Sequence, residues 1–371
     1  MVNVHYPPAM ANQQRNAAPL VSLVLPIRNE AKHLARALDA INAQTYPPER
    51  IEIIAVDGGS TDGTIEILSQ RAALDPRVRV LGGPGINTPL AMRLGCNASH
   101  GYIVIKIDGH GWINDRFVEV AVGALTADPE IGCVGGMIVP LATTDIERAI
   151  ALARFSRFGV GGGVYTLGER VQDTDTVQCG AYRRQAILDA GGFDPALPYG
   201  EDEEFNFRVR RAGWRIQLQP GMRYTYQVRS SLRALCLQYL RYGRARVAVV
   251  RKHPGFFRPK HAAPALLVTA LGVTLALIPA GAWLVPAAVW MGYLAFTVFG
   301  AVWLAVEHRF VRVDLLGASL VALHFGYGVG TLRGLFDRPA LAPSGSEGLQ
   351  SSPRLRPEGE GVAEQADPEQ H

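Results

Sequence analysis

From Ala262 to Val306 the chain carries no Asp, Glu, Lys or Arg, an unbroken run of 45 residues. One helix needs about 20 apolar residues to cross a bilayer, so this run accommodates two helices and a tight turn. The segment "PAGAWLVP", Pro279 to Pro286, supplies the turn, because two prolines and a glycine interrupt the helical pattern there. A third apolar stretch, Leu315 to Leu332, is short and glycine-rich, with His324 its one ionisable side chain. Buried core helices are the competing reading, but cores rarely run this far without a charge. Insertion into a membrane is therefore expected, with two to three transmembrane helices over 262–336 and three the favoured count.

Charge fixes the expected orientation. Fourteen Lys or Arg residues lie between Arg208 and Lys260, and no acidic residue follows Glu204 until Glu307. Positive segments stay cytoplasmic, which places the preceding domain in the cytoplasm, and Arg309 and Arg312 in the loop after the second helix suit a return to that side. The N-terminal sequence lacks a basic-then-apolar signal pattern. Four cysteines, Cys96, Cys133, Cys179 and Cys236, lie far apart without a CxxC pair, so neither a zinc site nor a disulfide framework is suggested. The Pro-, Glu-, Ser-, Gly- and Gln-rich end of the chain reads as disordered. The resulting division is a flexible tail, 1–18; a catalytic-type domain, 19–232; a basic amphipathic interfacial segment, 233–261; the membrane region, 262–336; and a disordered tail, 337–371.

The first domain reads as an α/β fold. Leu20–Leu25, "IEIIAVDGG", "RVRVL" and "YIVIKIDGH" are apolar runs suited to buried strands, the last ending at Asp108. Between them lie helical patterns: "EAKHLARALDAINAQ", then "STDGTIEILSQRAA" behind Ser60 or Thr61 as cap, then "TPLAMRLGCNAS". Alternation of this kind predicts a parallel doubly wound sheet, which binds ligands beyond the carboxyl ends of its strands. Three polar clusters fall there: Pro26 to Glu30, Asp57 to Ser60, and Asp108 to His110.

The first strand is not followed by GxGxxG, and no Walker loop is present. The glycines of Gly159 to Gly168 follow a helical stretch and read as a mobile loop. Asp108 and His110 can reach one ion, their donor set suiting Mn²⁺ or Mg²⁺, with the imidazole favouring Mn²⁺. Two protein ligands fit a metal shared with a substrate diphosphate. The run Glu201, Asp202, Glu203, Glu204 admits three readings: a solvated helix start, a metal site, or a catalytic base.

Taken in order, "VLPIRNE", "VDGGSTDGT", "KIDGH" and "GGFDPALPYGEDEEFNFRVRRAGW" resemble glycosyltransferase family 2, inverting enzymes of the GT-A (nucleotide-diphosphosugar transferase, Rossmann-like) fold. The resemblance covers about Val21 to Arg229. "DGH" in place of the usual DxD, "SRFGVGGGVY", "EDEEFNFR" and "QYLRYGR" look like the membrane-anchored branch that assembles succinoglycan-type exopolysaccharides.

The resemblance implies that Pro26, Asn29, Glu30 and Asp57 hold the nucleoside, and that Asp108 and His110 take the metal and diphosphate. It makes Asp202 the general base, with Glu201 and, from "QYLRY", Gln238 and Tyr242 as acceptor-side candidates, and Arg241 beside the leaving diphosphate. Of the four carboxylates one is the base and the others cap or face solvent; the basic belt holds the domain against anionic lipid. The implied reaction moves one hexose, with UDP-hexose the expected donor, to a lipid-linked or membrane-proximal saccharide. Alternatives are a polyprenyl-phosphate sugar transferase and an inactive membrane scaffold. Membrane lipids are expected partners and nucleic acid is not; other polysaccharide-assembly proteins are left open.

Overall fold

The computed structural model describes residues 18–159, 170–197 and 199–337. Apart from Ala18 and Asp337, both expected tails lie outside the described residues, as does the glycine segment after Gly159. β1 (Val21–Ile27), α1 (Ala31–Asn42), β2 (Ile51–Asp57), α2 (Thr64–Leu74), β3 (Val78–Gly82), α3 (Thr88–Ala98) and β4 (Ile103–Lys106) alternate as the apolar patterning requires. They are followed by β5 (Gly111–Ile113), α4 (Phe117–Ala127), β6 (Ile131–Leu141), α5 (Asp145–Phe155), β7 (Gln172–Asp173), β8 (Ala181–Arg183), α6 (Arg184–Asp189), α7 (Glu201–Arg211) and β9 (Arg215–Gln227).

β1 and β2 are buried almost throughout, since a parallel strand covered on both faces has no solvent side. The sheet runs β3-β2-β1-β4-β8-β6-β9-β5, with β7 also on β9. Its first four strands are parallel. Beyond β4 it is mixed, not the all-parallel sheet expected: β8 is antiparallel to β4 and β6, β6 is parallel to β9, and β5 is antiparallel to β9. β8, which lies between β4 and β6, runs against both and so ends the parallel run.

α2 starts at Thr64 behind Gly63, so neither Ser60 nor Thr61 caps it. Ser60 is turned back onto Asp57 and Asn29, while Asp62 Oδ1 accepts from the Thr64 amide at 3.2 Å.

The C-terminal part holds α8 (Leu232–Lys252), α9 (Pro259–Leu275), α10 (Leu284–Glu307) and α11 (Val313–Gly334). The break between α9 and α10 spans 276–283, where the turn was expected. α10 and α11 are long and apolar enough to cross a membrane. α9, with 17 residues, is about 25 Å long, short of a hydrocarbon core of about 30 Å.

Candidate active site

Backbone–side-chain bonds lace the loops after β1 and β2 together. Asn29, in the left-handed region at φ 57°, donates its amide to Ser60 Oγ at 2.8 Å and accepts from the Thr61 amide at 2.8 Å. The Glu30 amide donates to Thr64 Oγ1 at 2.9 Å. Asp57, buried at the end of β2, accepts from the Gly59 and Ser60 amides at 2.9 and 3.0 Å through Oδ2, and from Ser60 Oγ through Oδ1. Its carboxylate thus shapes the turn that carries the cluster. Pro26 sits one residue before the end of β1, opposite Val56.

The chemistry gathers at the end of β4. Lys106, 1% exposed, is the one cation inside an otherwise apolar strand. Its ammonium donates to both carboxylate oxygens of Asp202 at 2.8 Å and to Glu201 Oε1 at 3.1 Å, and lies 3.3 Å from Asp108 Oδ1. A buried ammonium without counter-charge is heavily penalised; here three carboxylates outweigh burial and hold the lysine well above its ordinary pKa. Burial pushes Asp108 up, but Lys106 and then His110 outweigh it and keep the carboxyl below its usual range. Asp202 keeps an edge on the cavity, yet burial pushes it up to about 7; Lys106 opposes this, while Glu201 and Asp108 reinforce it. That value suits a general base at neutral pH.

The sequence reading did not single out Lys106. The signal was available: Lys106 and Asp108 are two residues apart on an extended segment, so they point to one face.

α7 brings the carboxylates in. Gly200 precedes it at φ 74°, a left-handed turn that glycine tolerates. All four acidic residues fill the first turn, where the helix dipole favours negative charge. They do not divide into one base and three solvent-facing or capping groups, as expected. Glu201 and Asp202 take Lys106. Glu203 pairs with Arg246 of α8 at 2.5 Å. Glu204, buried, takes Arg208 at 2.7 Å and His253 Nε2 at 2.7 Å. Part of the reason is that α8 turns Arg246 and Lys252 toward α7.

A cavity of about 670 Å³ joins the two halves. It brings together Asp108, His110, Glu201, Asp202, Gln238, Arg241 and Tyr242. Pro26, Asn29, Glu30 and Asp57 lie outside its lining; Glu30 meets it only through His110, whose Nδ1 is 3.3 Å from Glu30 Oε1. Arg241 lies over the Tyr199 ring at 5.8 Å. Gln238 Nε2 donates to the Tyr242 hydroxyl at 3.0 Å, and its Oε1 is buried with no partner among the described residues.

No group of three or more His, Cys, Asp or Glu side chains poised for a metal occurs among the described residues. The donor set still fits a divalent ion that takes its other ligands from a diphosphate. Asp108 turns Oδ1 to Lys106, and its Oδ2 has the Cys179 thiol 4.0 Å away; His110 turns Nδ1 to Glu30, leaving Nε2.

The profile of glycosyl transferase family 2 matches residues 22–190. Succinoglycan biosynthesis protein ExoA of Rhizobium meliloti (strain 1021) is 30% identical over 85% of this chain and 94% of its own length. A dolichyl N-acetyl-alpha-D-glucosaminyl phosphate 3-beta-D-2,3-diacetamido-2,3-dideoxy-beta-D-glucuronosyltransferase of Methanococcus voltae is 25% identical over 64% of this chain and 75% of its own. Among solved structures, the mannosyltransferase PcManGT from Pyrobaculum calidifontis, in complex with GDP-Man and Mn²⁺, aligns with a TM-score of 0.58 at 20% identity, over 87% of this chain and 89% of that one. The chain belongs to glycosyltransferase family 2 and is a glycosyltransferase of GT-A fold.

Proposed function

We propose that the protein moves one hexose, with inversion, from a nucleotide-diphosphosugar to a lipid-linked saccharide during assembly of an exopolysaccharide or other cell-surface glycan. The observation that carries this reading is the placement of Asp202: a carboxylate raised to about 7, lining one cavity together with Pro264 and Tyr327 of the apolar helices. The two curated relatives support it by name, one a succinoglycan biosynthesis protein, the other acting on a dolichyl-phosphate-linked sugar.

In this mechanism Asp202 accepts the proton of the acceptor hydroxyl as its oxygen attacks the anomeric carbon. The bond from that carbon to the phosphate oxygen breaks, and the leaving diphosphate carries off the electron pair. Lys106 holds Asp202 and Asp108 at a fixed separation. Arg241, with no carboxylate partner among the described residues, offers charge to the leaving group. Pro26, Asn29, Glu30 and Asp57 shape the nucleoside end. A divalent ion, Mn²⁺ or Mg²⁺, held by Asp108 and His110 supplies further charge to the diphosphate when bound. Gln238 and Tyr242, which line the cavity, face the acceptor. The enzyme works at the cell membrane with its catalytic domain in the cytoplasm.

A polyprenyl-phosphate transferase is the second reading, and it needs no base, because its acceptor is already an anion. Asp202→Asn separates the two. The proposed reaction loses a factor on the order of 10²–10⁴ while donor binding, measured by calorimetry, persists. Activity within tenfold of wild type would sink the assignment of Asp202.

A further inference from the structure

α11 is joined to the catalytic half along its whole length. Leu316, Leu320 and Leu323 share one apolar cluster with Ala149, Ile150 and Ala153 of α5, and His324 Nε2 lies 2.8 Å from the Phe158 carbonyl oxygen. Further along, α11 runs so close to α8 that a Cβ on Gly326 or Gly330 would stand 2.6 or 2.2 Å from the carbonyl oxygens of Cys236 and Leu240. Charge fixes its far end: Arg244 Nε donates to Asp337 Oδ2 at 2.7 Å, and an Arg251 guanidinium nitrogen donates to the Asp337 carbonyl oxygen at 2.7 Å.

Those neighbours do not suit hydrocarbon. α8 carries six cations, Arg233, Arg241, Arg244, Arg246, Arg251 and Lys252, and α5 carries Asp145, Glu147, Arg148 and Arg154. With 22 residues α11 is about 33 Å long, close to the thickness of a bilayer core of about 30 Å. A crossing α11 would therefore draw α5 and α8 into the core beside it, where charged side chains are heavily penalised. The outward faces differ as well. α10 exposes Met291, Leu294, Val298, Val302 and Val306, whereas Val321 is the only large exposed hydrophobic residue of α11.

We propose that α11 does not cross the bilayer. It is the seam between the catalytic domain and the α9–α10 hairpin, and the hairpin alone meets the lipid tails. Both ends of α11 stand on the catalytic face. This rests on the reading of the C-terminal helices as a membrane anchor, and departs from the three-span count. It sets the cavity, lined by Lys260, Pro264 and Tyr327 at this level, where lipid headgroups lie, so a lipid-linked saccharide reaches Asp202 sideways from the membrane surface.

Val311 and Phe336 flank α11 and are each 87% exposed. Val311→Cys and Phe336→Cys are labelled with a membrane-impermeant maleimide in sealed vesicles of both orientations. Glu66→Cys on α2 marks the catalytic face, and unsubstituted protein gives the background. Both positions should label from the same face as residue 66. Labelling from opposite faces overturns the proposal. A second readout needs no substitution: reporters fused before residue 1 and after residue 371 of the wild-type chain should lie on one side, and opposite sides overturn it equally. Release of the protein by a carbonate wash would instead overturn the anchor reading, and the proposal with it.

Discussion

Lys106→Met keeps the apolar stem of a side chain that is 1% exposed and deletes only its ammonium. What remains is a cluster of three carboxylates, Asp108, Glu201 and Asp202, previously within 3.3 Å of that charge. Removing one partner of a buried ion pair costs about 3–5 kcal/mol. The cost depends on pH, and its sign follows from Asp202. A carboxyl raised in the folded state to about 7 is protonated when folded but ionised when unfolded between about pH 4 and 7, so stability falls with rising pH across that window and levels off above it. Without Lys106 the folded-state value rises further, and the fall continues to higher pH. The gap between wild type and variant therefore widens above pH 7 by about 1.4 kcal/mol per unit for one proton.

A loss of about 3–5 kcal/mol lowers the Tm of a domain of this size by about 6–20 °C. The assay is intrinsic-tryptophan thermal unfolding in detergent with chelator, at pH 6 and pH 8.5 and one scan rate, since irreversible unfolding makes Tm rate-dependent. Lys106→Met with Asp202→Asn removes one charge of each sign and should recover part of the loss at pH 8.5. An unchanged Tm at pH 8.5, or a double variant no better than the single, would refute the view that this ammonium balances the cluster.

The pH profile of kcat/KM should rise through about pH 7 as Asp202 loses its proton; a flat profile between pH 6 and 8 counts against it as the base. Excess chelator should abolish transfer, with Mn²⁺ restoring it at least as well as Mg²⁺, and Asp108→Asn should raise the metal concentration needed. Full activity in chelator removes the metal role of Asp108 and His110. Products from a defined lipid-linked acceptor should gain one hexose mass by mass spectrometry, because Ala262 to Val306 carries no Asp, Glu, Lys or Arg to line a path for a growing polar chain; a ladder of additions refutes this.

The apolar strands β1, β2 and β4 and the helices between them were legible, because burial on both faces leaves a continuous apolar run, whereas β6 and β9, the longest strands, were not read. β5, β7 and β8, of two or three residues, carry too little pattern to read, and they are the strands that turn the sheet from parallel to mixed. The motif residues Asp108, His110 and Asp202 were legible as chemistry, and the fold does bring them to one cavity. Their connection was not. Lys106 is a single residue in a greasy strand, and its three partners lie two residues away and on a helix nearly a hundred residues on. The glycines that made the third apolar stretch look weak as a span are the same ones that let α11 lie against the carbonyl oxygens of α8.

The acid run and the basic belt turn out to face each other. The four carboxylates of α7 look to three places: Glu201 and Asp202 to the end of β4, Glu203 to Arg246 in the middle of α8, and Glu204 to Arg208 on its own helix and His253 at the end of α8. Arg246 also donates to the Tyr327 hydroxyl of α11 at 3.0 Å. The helix that carries the candidate base is thus tied on one side to the sheet and on the other to the helices that pack on the apolar C-terminal helices. Pairs of this kind are costly to break singly when buried, so α8 cannot shift relative to the sheet without exchanging several at once. In the proposed function, orientation toward the membrane and placement of Asp202 would therefore be set by one set of contacts, and a saccharide presented at the membrane surface would meet a base already fixed with respect to that surface.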